Sequence, residues 1–226
     1  LACDPVSAFG SIVGCNQVVG ASAARTMLES ADFIECIIAP GFEPDALELF
    51  RQKKNLRVLD AGPIHREQEV YDFDMKRVIG GVLLQARDLA DPAPSGFKTA
   101  TAAQVPSGLV DALLFAWKIV KHVKSNAIVL ARPTEGGAKT VGVGAGQMSR
   151  VDSTFMAITK AGERARGSVL GSDAFFPKQD AVELAAEHGV AAIVQPGGSV
   201  RDQEVIQACD RLGIPMLFTG MRHFKH

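Results

Sequence analysis

The run Gly142-Val143-Gly144-Ala145-Gly146-Gln147-Met148-Ser149-Arg150 puts permissive backbone and a fixed positive charge into one short stretch. Thr140 and Val141 ahead of it have strand character, and Val151, Phe155, Ile158 and Ala161 behind it fall on one helical face. A strand, a glycine turn and a helix N-terminus together offer free N–H groups and the positive end of a helix dipole, which suits an anionic or polar small ligand. The same residues also fit a tight strand-to-helix turn that holds nothing. Gln195-Pro196-Gly197-Gly198-Ser199 repeats the pattern, running through Arg201 into a helix with Val205, Ile206, Cys209 and Leu212 inward. That second turn aims another set of backbone donors off a strand end, and the pair points to a ligand cleft between them.

Other constellations carry two readings each. Asn126, after Lys124-Ser125, stands at a helix–strand junction, where its carboxamide can donate and accept toward a ligand or bond its own turn. In Ser172-Asp173-Ala174-Phe175-Phe176-Pro177, the adjacent aromatics either wall a flat ring pocket or plug the core, with Asp180 capping the next helix. The closing Met221-Arg222-His223-Phe224-Lys225-His226 is either a frayed basic end or a tail tied down behind a buried strand, with Arg222 suited to a phosphate. Lys121-His122 either complements a helix C-terminal dipole or serves as an acid–base pair. A G-x-S-x-G elbow, a lysine in the Walker position and the H-x-E with P-C-x-x-C of zinc deaminases are all missing, which sets those enzyme classes aside.

The elements that position these residues alternate between strand and helix, the pattern of an α/β layered fold. Strands are expected at Ser11 to Cys15, Glu35 to Ala39, Leu56 to Leu59 and Val82 to Gln85, with helices at Ser22 to Glu29 and Pro44 to Lys53. From Arg87 to Gly108 the pattern lapses, and Asp91, Pro92, Pro94, Ser95, Gly96 and Pro106 read as a linker or excursion between two lobes. Ser107 is then expected to cap an apolar, deeply buried helix through Leu113, Leu114, Trp117 and Val120. A second lobe follows with strands at Ala127 to Leu130, Val190 to Val194 and Ile214 to Phe218. The resulting division is 1–90 for the first lobe, 91–106 for the linker and 107–226 for the second.

With 226 residues, 47% of them hydrophobic and 22% charged, the chain is long and apolar enough for a globular core. A net charge of −1 gives no electrostatic case for nucleic acid or an acidic membrane surface. No apolar run approaches a membrane span. Cys3, Cys15, Cys36 and Cys209 form no C-x-x-C pair, so they read as reduced, packed thiols of a cytoplasmic protein with no metal.

Taken in order, Asp4-Pro5-Val6-Ser7-Ala8-Phe9-Gly10, Ile37-Ile38-Ala39-Pro40, Val123-Lys124-Ser125-Asn126-Ala127-Ile128, Gly144 to Arg150, Ser172 to Pro177, Gln195 to Ser199 and Arg222-His223-Phe224 resemble one family. It is the C-terminal formyltransferase part of the bifunctional AICAR transformylase/IMP cyclohydrolases of purine biosynthesis, and the resemblance covers nearly the whole chain. It implies transfer of a formyl group from 10-formyltetrahydrofolate, the co-substrate, to the 5-amino group of AICAR. It also implies two related lobes of cytidine-deaminase-like α/β architecture without the deaminase zinc, and a homodimer with active sites at the subunit interface.

By matching position, the resemblance places Asn126 at the AICAR carboxamide and reacting amine. Gly10, Glu35 and Arg150 then contact the nucleotide, Phe175 lies along the base, and Arg222 and Lys54 meet the phosphate. Val151, Asp180, Ser199 and Val200 stand on the folate side. Lys178 and Gln179 depart from the family's usual Phe and basic residue after Phe-Phe-Pro, which bears on the folate pocket. The family's catalytic Lys-His pair lies upstream of the Asp4-Pro5 block, and Lys121-His122 is not its counterpart. The expectation is therefore a C-terminal fragment, its first lobe truncated at the N-terminus, that needs the upstream segment for turnover. The alternative is a non-catalytic nucleotide- and folate-binding or dimerisation module. A generic α/β nucleotide binder, resting on the glycine turns alone, leaves the ordered motifs without an explanation.

Overall fold

A computed structural model describes residues 1–64, 73–89 and 96–225. The chain divides into two compact units, Leu1–Arg87 and Asp88–His226. Within the first, β1 (Ser11–Gly14), β2 (Ile34–Ala39) and β3 (Arg57–Asp60) form a parallel sheet in the order β1-β2-β3. Helices α1 (Ala21–Ser30) and α2 (Pro44–Arg51) connect them, as parallel neighbours require. Val19, Ala24, Ile37, Ala39, Ala46 and Phe50 make the core between sheet and helices. A separate hairpin, β4 (Phe73–Val78) and β5 (Gly81–Ala86), turns at Ile79-Gly80, where Gly80 takes a φ of 87°. Every strand residue of the hairpin is exposed. Sequence periodicity marked only Val82 to Gln85, because Asp74, Lys76 and Arg77 break the apolar run of its partner.

The second unit is a six-stranded sheet in the order β6-β11-β10-β9-β7-β8. Its strands are β6 (Lys98–Thr99), β7 (Ile128–Thr134), β8 (Gly137–Gly144), β9 (Val169–Ser172), β10 (Ala192–Gln195) and β11 (Met216–Phe218). Strands β9, β10 and β11 run parallel, while β7 is antiparallel to both β8 and β9. Helix α3 (Ser107–Val120) covers one face, where Leu113, Ala116, Trp117 and Val120 meet Val129, Ala131, Val169 and Val194. On the other face lie α4 (Arg150–Ala161), α5 (Asp180–Glu187) and α6 (Asp202–Leu212), packed over Ile128, Leu130, Leu170, Ile193 and Met216. Adjacent residues of β7 thus enter opposite cores, the period-two alternation of a sheet buried on both sides. Among the described residues no helix is long and apolar enough to cross a membrane.

Several sequence expectations are corrected. Lys98 and Thr99, read as part of the linker, pair with Phe218 and Leu217 as an edge strand of the second sheet. The expected linker residues Asp91, Pro92, Pro94 and Ser95 lie outside the described residues. Ser107 does not cap α3: Pro106 holds the cap position, and no side chain bonds the helix end. Asp180 lies in the first turn of α5 rather than at its cap, which falls to Gln179.

The largest correction concerns the glycine run. Gly142 and Gly144 are not a turn but the end of β8, hydrogen-bonded against β7. Their missing side chains admit α4: a Cβ on Gly142 would stand 2.0 Å from the Ala157 carbonyl oxygen, and one on Gly144 1.8 Å from that of Ser153. Close helix–strand packing, rather than a ligand, accounts for these two glycines. Only Gly146 turns the chain, with a φ of 65°, and its N–H donates to the Lys124 carbonyl at 2.7 Å.

Candidate functional site

Helix α4 starts on a sequence-encoded cap. Ser149 Oγ accepts from the Asp152 N–H at 3.1 Å and donates to the Asp152 carboxylate at 2.6 Å. This fixes the entry of Arg150, whose side chain runs inward and is 5% exposed. Its guanidinium pairs with Asp173, donates to Ser172 Oγ at 2.9 Å, and donates to Asn126 Oδ1 at 3.0 Å. Asn126 Nδ2 in turn donates to the carbonyls of Gln147 at 2.9 Å and Met148 at 3.2 Å. The carboxamide is therefore oriented by one partner set at each end, and its oxygen keeps a second lone pair. Ser153 Oγ donates to the Asn126 carbonyl at 2.8 Å, and the Ser125–Asn126 peptide bond is cis.

Asp173 is the hub that sequence reasoning passed over. Fully buried, it accepts from Arg150, from Ser125 Oγ and from the Ala127 N–H, and its carbonyl accepts from the His223 N–H at 2.9 Å. Its signal was present: an Asp between Ser172 and Ala174-Phe175-Phe176 is a charge within an apolar run, and a buried carboxylate needs a cation.

A pocket of about 490 Å³ is lined by Phe175, Pro177, Lys178, Gly198, Ser199, Val200, Arg201 and Arg222. It brings together Phe175, Ser199, Val200 and Arg222 of the sequence-derived candidates. Arg222 lies over the Phe175 ring at 4.8 Å, and Lys178 and Arg201 add positive charge to the same walls. Phe176 is the half of the aromatic pair that plugs the core, while Phe175 is partly exposed. Gln195, also passed over, ties the pocket's two loops together. Buried, its Oε1 accepts from the Phe176 N–H at 3.2 Å and the Gly197 N–H at 3.4 Å. The second glycine turn does not present free donors. The Gly198 and Ser199 N–H groups donate to the Asp202 carboxylate at 2.7 and 3.1 Å, so Arg222, Arg201 and Lys178 are left as the anion-seeking groups.

Within the second unit, Val151 and Asp180 are not among the residues that line this pocket. Val151 is half-buried on α4 against the core, and Asp180 is exposed and accepts from the Ala181 N–H at 2.8 Å. In the first unit, Gly10 has a φ of 77° and donates to the Phe33 carbonyl at 3.0 Å. Glu35 on β2 pairs with Arg57, and Lys54 borders a pocket of about 170 Å³ with Lys53, Phe33 and Leu28. His122 follows the end of α3. Burial first, then Lys121 and Lys225, hold its pKa below the ordinary histidine value, against a weaker upward pull from Asp88.

Fold and site define an α/β protein with a cationic, aromatic-walled pocket beside a buried Asn-Arg-Asp network. The chain belongs to the AICARFT/IMPCHase bienzyme family, whose family model matches residues 1–160. Proteins named "bifunctional purine biosynthesis protein PurH" are similar along almost all of it. The Sorangium cellulosum protein is 53% identical over 228 residues, covering 99% of this chain and 42% of its own length. Those of Magnetococcus marinus and Rhodopirellula baltica are 48% and 47% identical, with 99% and 100% of this chain and 43% of each relative covered. The chain thus spans about two-fifths of the length of these relatives.

Proposed function

We propose that this chain carries the formyltransferase side of the bienzyme, moving a formyl group from 10-formyltetrahydrofolate to the 5-amino group of AICAR in purine biosynthesis. The observation that carries the reading is the convergence of Phe175, Ser199, Val200 and Arg222 on one pocket, in a chain of this family. The amine nitrogen attacks the formyl carbon and the carbonyl electron pair moves onto oxygen. Collapse of the tetrahedral adduct expels N10 of tetrahydrofolate, which takes up a proton while the new amide nitrogen gives one up. An amine conjugated with a neighbouring carboxamide is a weak nucleophile, so its proton must leave as it attacks.

Asn126 Oδ1, oriented by Arg150, retains a lone pair that can accept from the attacking N–H. Arg150 acts by orienting Asn126 from within the buried network. Phe175 supplies a flat face for a ring, and Arg222 a fork for phosphate oxygens. Gly10, Glu35 and Lys54 complete the nucleotide set in this reading, and Val151, Asp180, Ser199 and Val200 the folate set. The Lys-His pair that the resemblance assigns as proton acceptor precedes the Asp4-Pro5 block. The reading includes cytidine-deaminase-like lobes, a cytoplasmic homodimer with interface sites, and a reaction that needs no metal.

A second reading, a binding or dimerisation module without turnover, is favoured by the Asn126–Arg150–Asp173 network itself. Its hydrogen bonds are made within the chain and hold shape without any substrate. Formyl transfer measured with this chain alone and within a full-length polypeptide of the family separates the two. Turnover in the longer polypeptide that falls on Asn126→Ala upholds the transferase reading. Ligand binding without turnover in either form upholds the module.

A further inference from the structure

The C-terminal tail is exposed at Arg222 and Phe224, yet His223 between them is 1% exposed. Its Nδ1 lies 2.6 Å from Asp88 Oδ2, and its ring stands 4.4 Å from that of Trp117. A carboxylate oxygen can only accept, so Nδ1 is the donor. Two backbone bonds extend the anchorage: the His223 N–H donates to the Asp173 carbonyl, and the Ser125 N–H donates to the Lys225 carbonyl, both at 2.9 Å. The tail is thereby clamped on both sides of the network that orients Asn126, and Arg222 is delivered over Phe175.

We propose that Asp88 and His223 form a positioning latch that seats the tail and so sets the place of Arg222 in the ligand pocket. Neither residue lines that pocket, so neither is a catalytic residue. Burying an imidazole beside an indole is unfavourable unless its N–H is answered, and the Asp88 carboxylate answers it. An arginine near a chain end has many rotamers to lose on binding an anion, and a seated backbone removes part of that cost beforehand. This inference rests on the proposed role of Arg222 for its functional half only.

The test is Asp88→Ala in the full chain, which removes the acceptor, with Asp88→Asn, whose amide oxygen can still accept from Nδ1, as the conservative control. Amide exchange at His223 and Ser125 should quicken at least tenfold in Asp88→Ala and less in Asp88→Asn. The single tryptophan, Trp117, should change its emission as His223 leaves its ring. AICAR affinity, measured by calorimetry, should fall about tenfold in Asp88→Ala, and Asp88→Ala should add nothing in an Arg222→Ala background, since both changes remove one interaction. Unchanged exchange at the two amides overturns the latch. Quickened exchange with unchanged AICAR affinity, where Arg222→Ala does weaken it, overturns the positioning role. If AICAR binds none of these proteins, the functional reading fails while the exchange arm still decides the latch.

Discussion

Arg150 and Asp173 form an ion pair closed to water, with side-chain exposures of 5% and 0%; Arg150 also holds Asn126 itself, and Asp173 holds its chain neighbours Ser125 and Ala127. Such a pair is costly to assemble and costlier to break, because the survivor stays buried and charged. Asp173→Ala is expected to lower unfolding free energy by about 3–5 kcal/mol, read from urea denaturation. Arg150→Met paired with Asp173→Leu should lose much less, since no lone charge remains. A double variant as unstable as Asp173→Ala would show that the network, rather than the charge, supplies the stability.

Asn126→Ala in a full-length polypeptide of the family removes the oriented carboxamide and leaves one Arg150 donor unanswered. Turnover should fall on the order of a hundredfold, as for other single stabilising donors or acceptors at a reacting centre. Unfolding free energy should fall by about 1–3 kcal/mol, less than for Asp173→Ala, because only one buried donor loses its acceptor. Turnover equal to the parent's takes Asn126 out of the chemistry.

Arg222→Ala should raise the KM for AICAR at least tenfold and leave that for the folate nearly unchanged, because a phosphate belongs to one substrate only. The cation–π contact with Phe175 supplies the competing expectation. If the arginine serves the pocket wall rather than the phosphate, both KM values rise together.

The strand–helix alternation was legible because β2, β10 and β11 are short apolar runs bounded by turn residues. The candidates Phe175, Ser199, Val200 and Arg222 came from ordered motifs, and they meet in one pocket. What sequence could not give is who answers whom. Gly142 and Gly144 look like a ligand cradle by residue type, yet their role depends on how closely α4 approaches β8. Asp202 likewise occupies the N–H groups of Gly198 and Ser199, a pairing that no spacing rule separates from an empty anion nest. Asp173 and Gln195 escaped notice because a buried polar hub is defined by partners far along the chain.

His122 gives a pH expectation. Burial, Lys121 and Lys225 lower its pKa from the ordinary value of 6.5, so the unfolded chain binds the proton more readily. Stability must then rise with pH up to about 6.5, and the contribution is lost as pH falls below that value. His122→Gln should flatten this part of the stability profile between about pH 5 and 7, as followed by urea midpoints. The effect is small because the burial of His122 is only partial. A profile unchanged by the substitution assigns the slope to other groups.

Gly144→Ala joins stability to the site. The added methyl would lie 1.8 Å from the Ser153 carbonyl oxygen, in the backbone of α4, so the helix must move. Overpacking of this kind costs about 1–3 kcal/mol, and backbone on both sides puts it at the upper end. Ser153 also donates to the Asn126 carbonyl at 2.8 Å, and Arg150 on the same helix orients the Asn126 carboxamide. Displacing α4 therefore displaces the proposed catalytic amide. Thermal melting should fall by roughly 2–4 °C for each kcal/mol lost in a chain of this size. Turnover should fall further than stability alone explains at a temperature where the variant stays folded. Gly136→Ala, at the β7–β8 turn with nothing within 4 Å of its added methyl, is the control: its φ of 81° costs stability but leaves turnover intact. If Gly144→Ala keeps full turnover while folded, α4 does not set the geometry of Asn126.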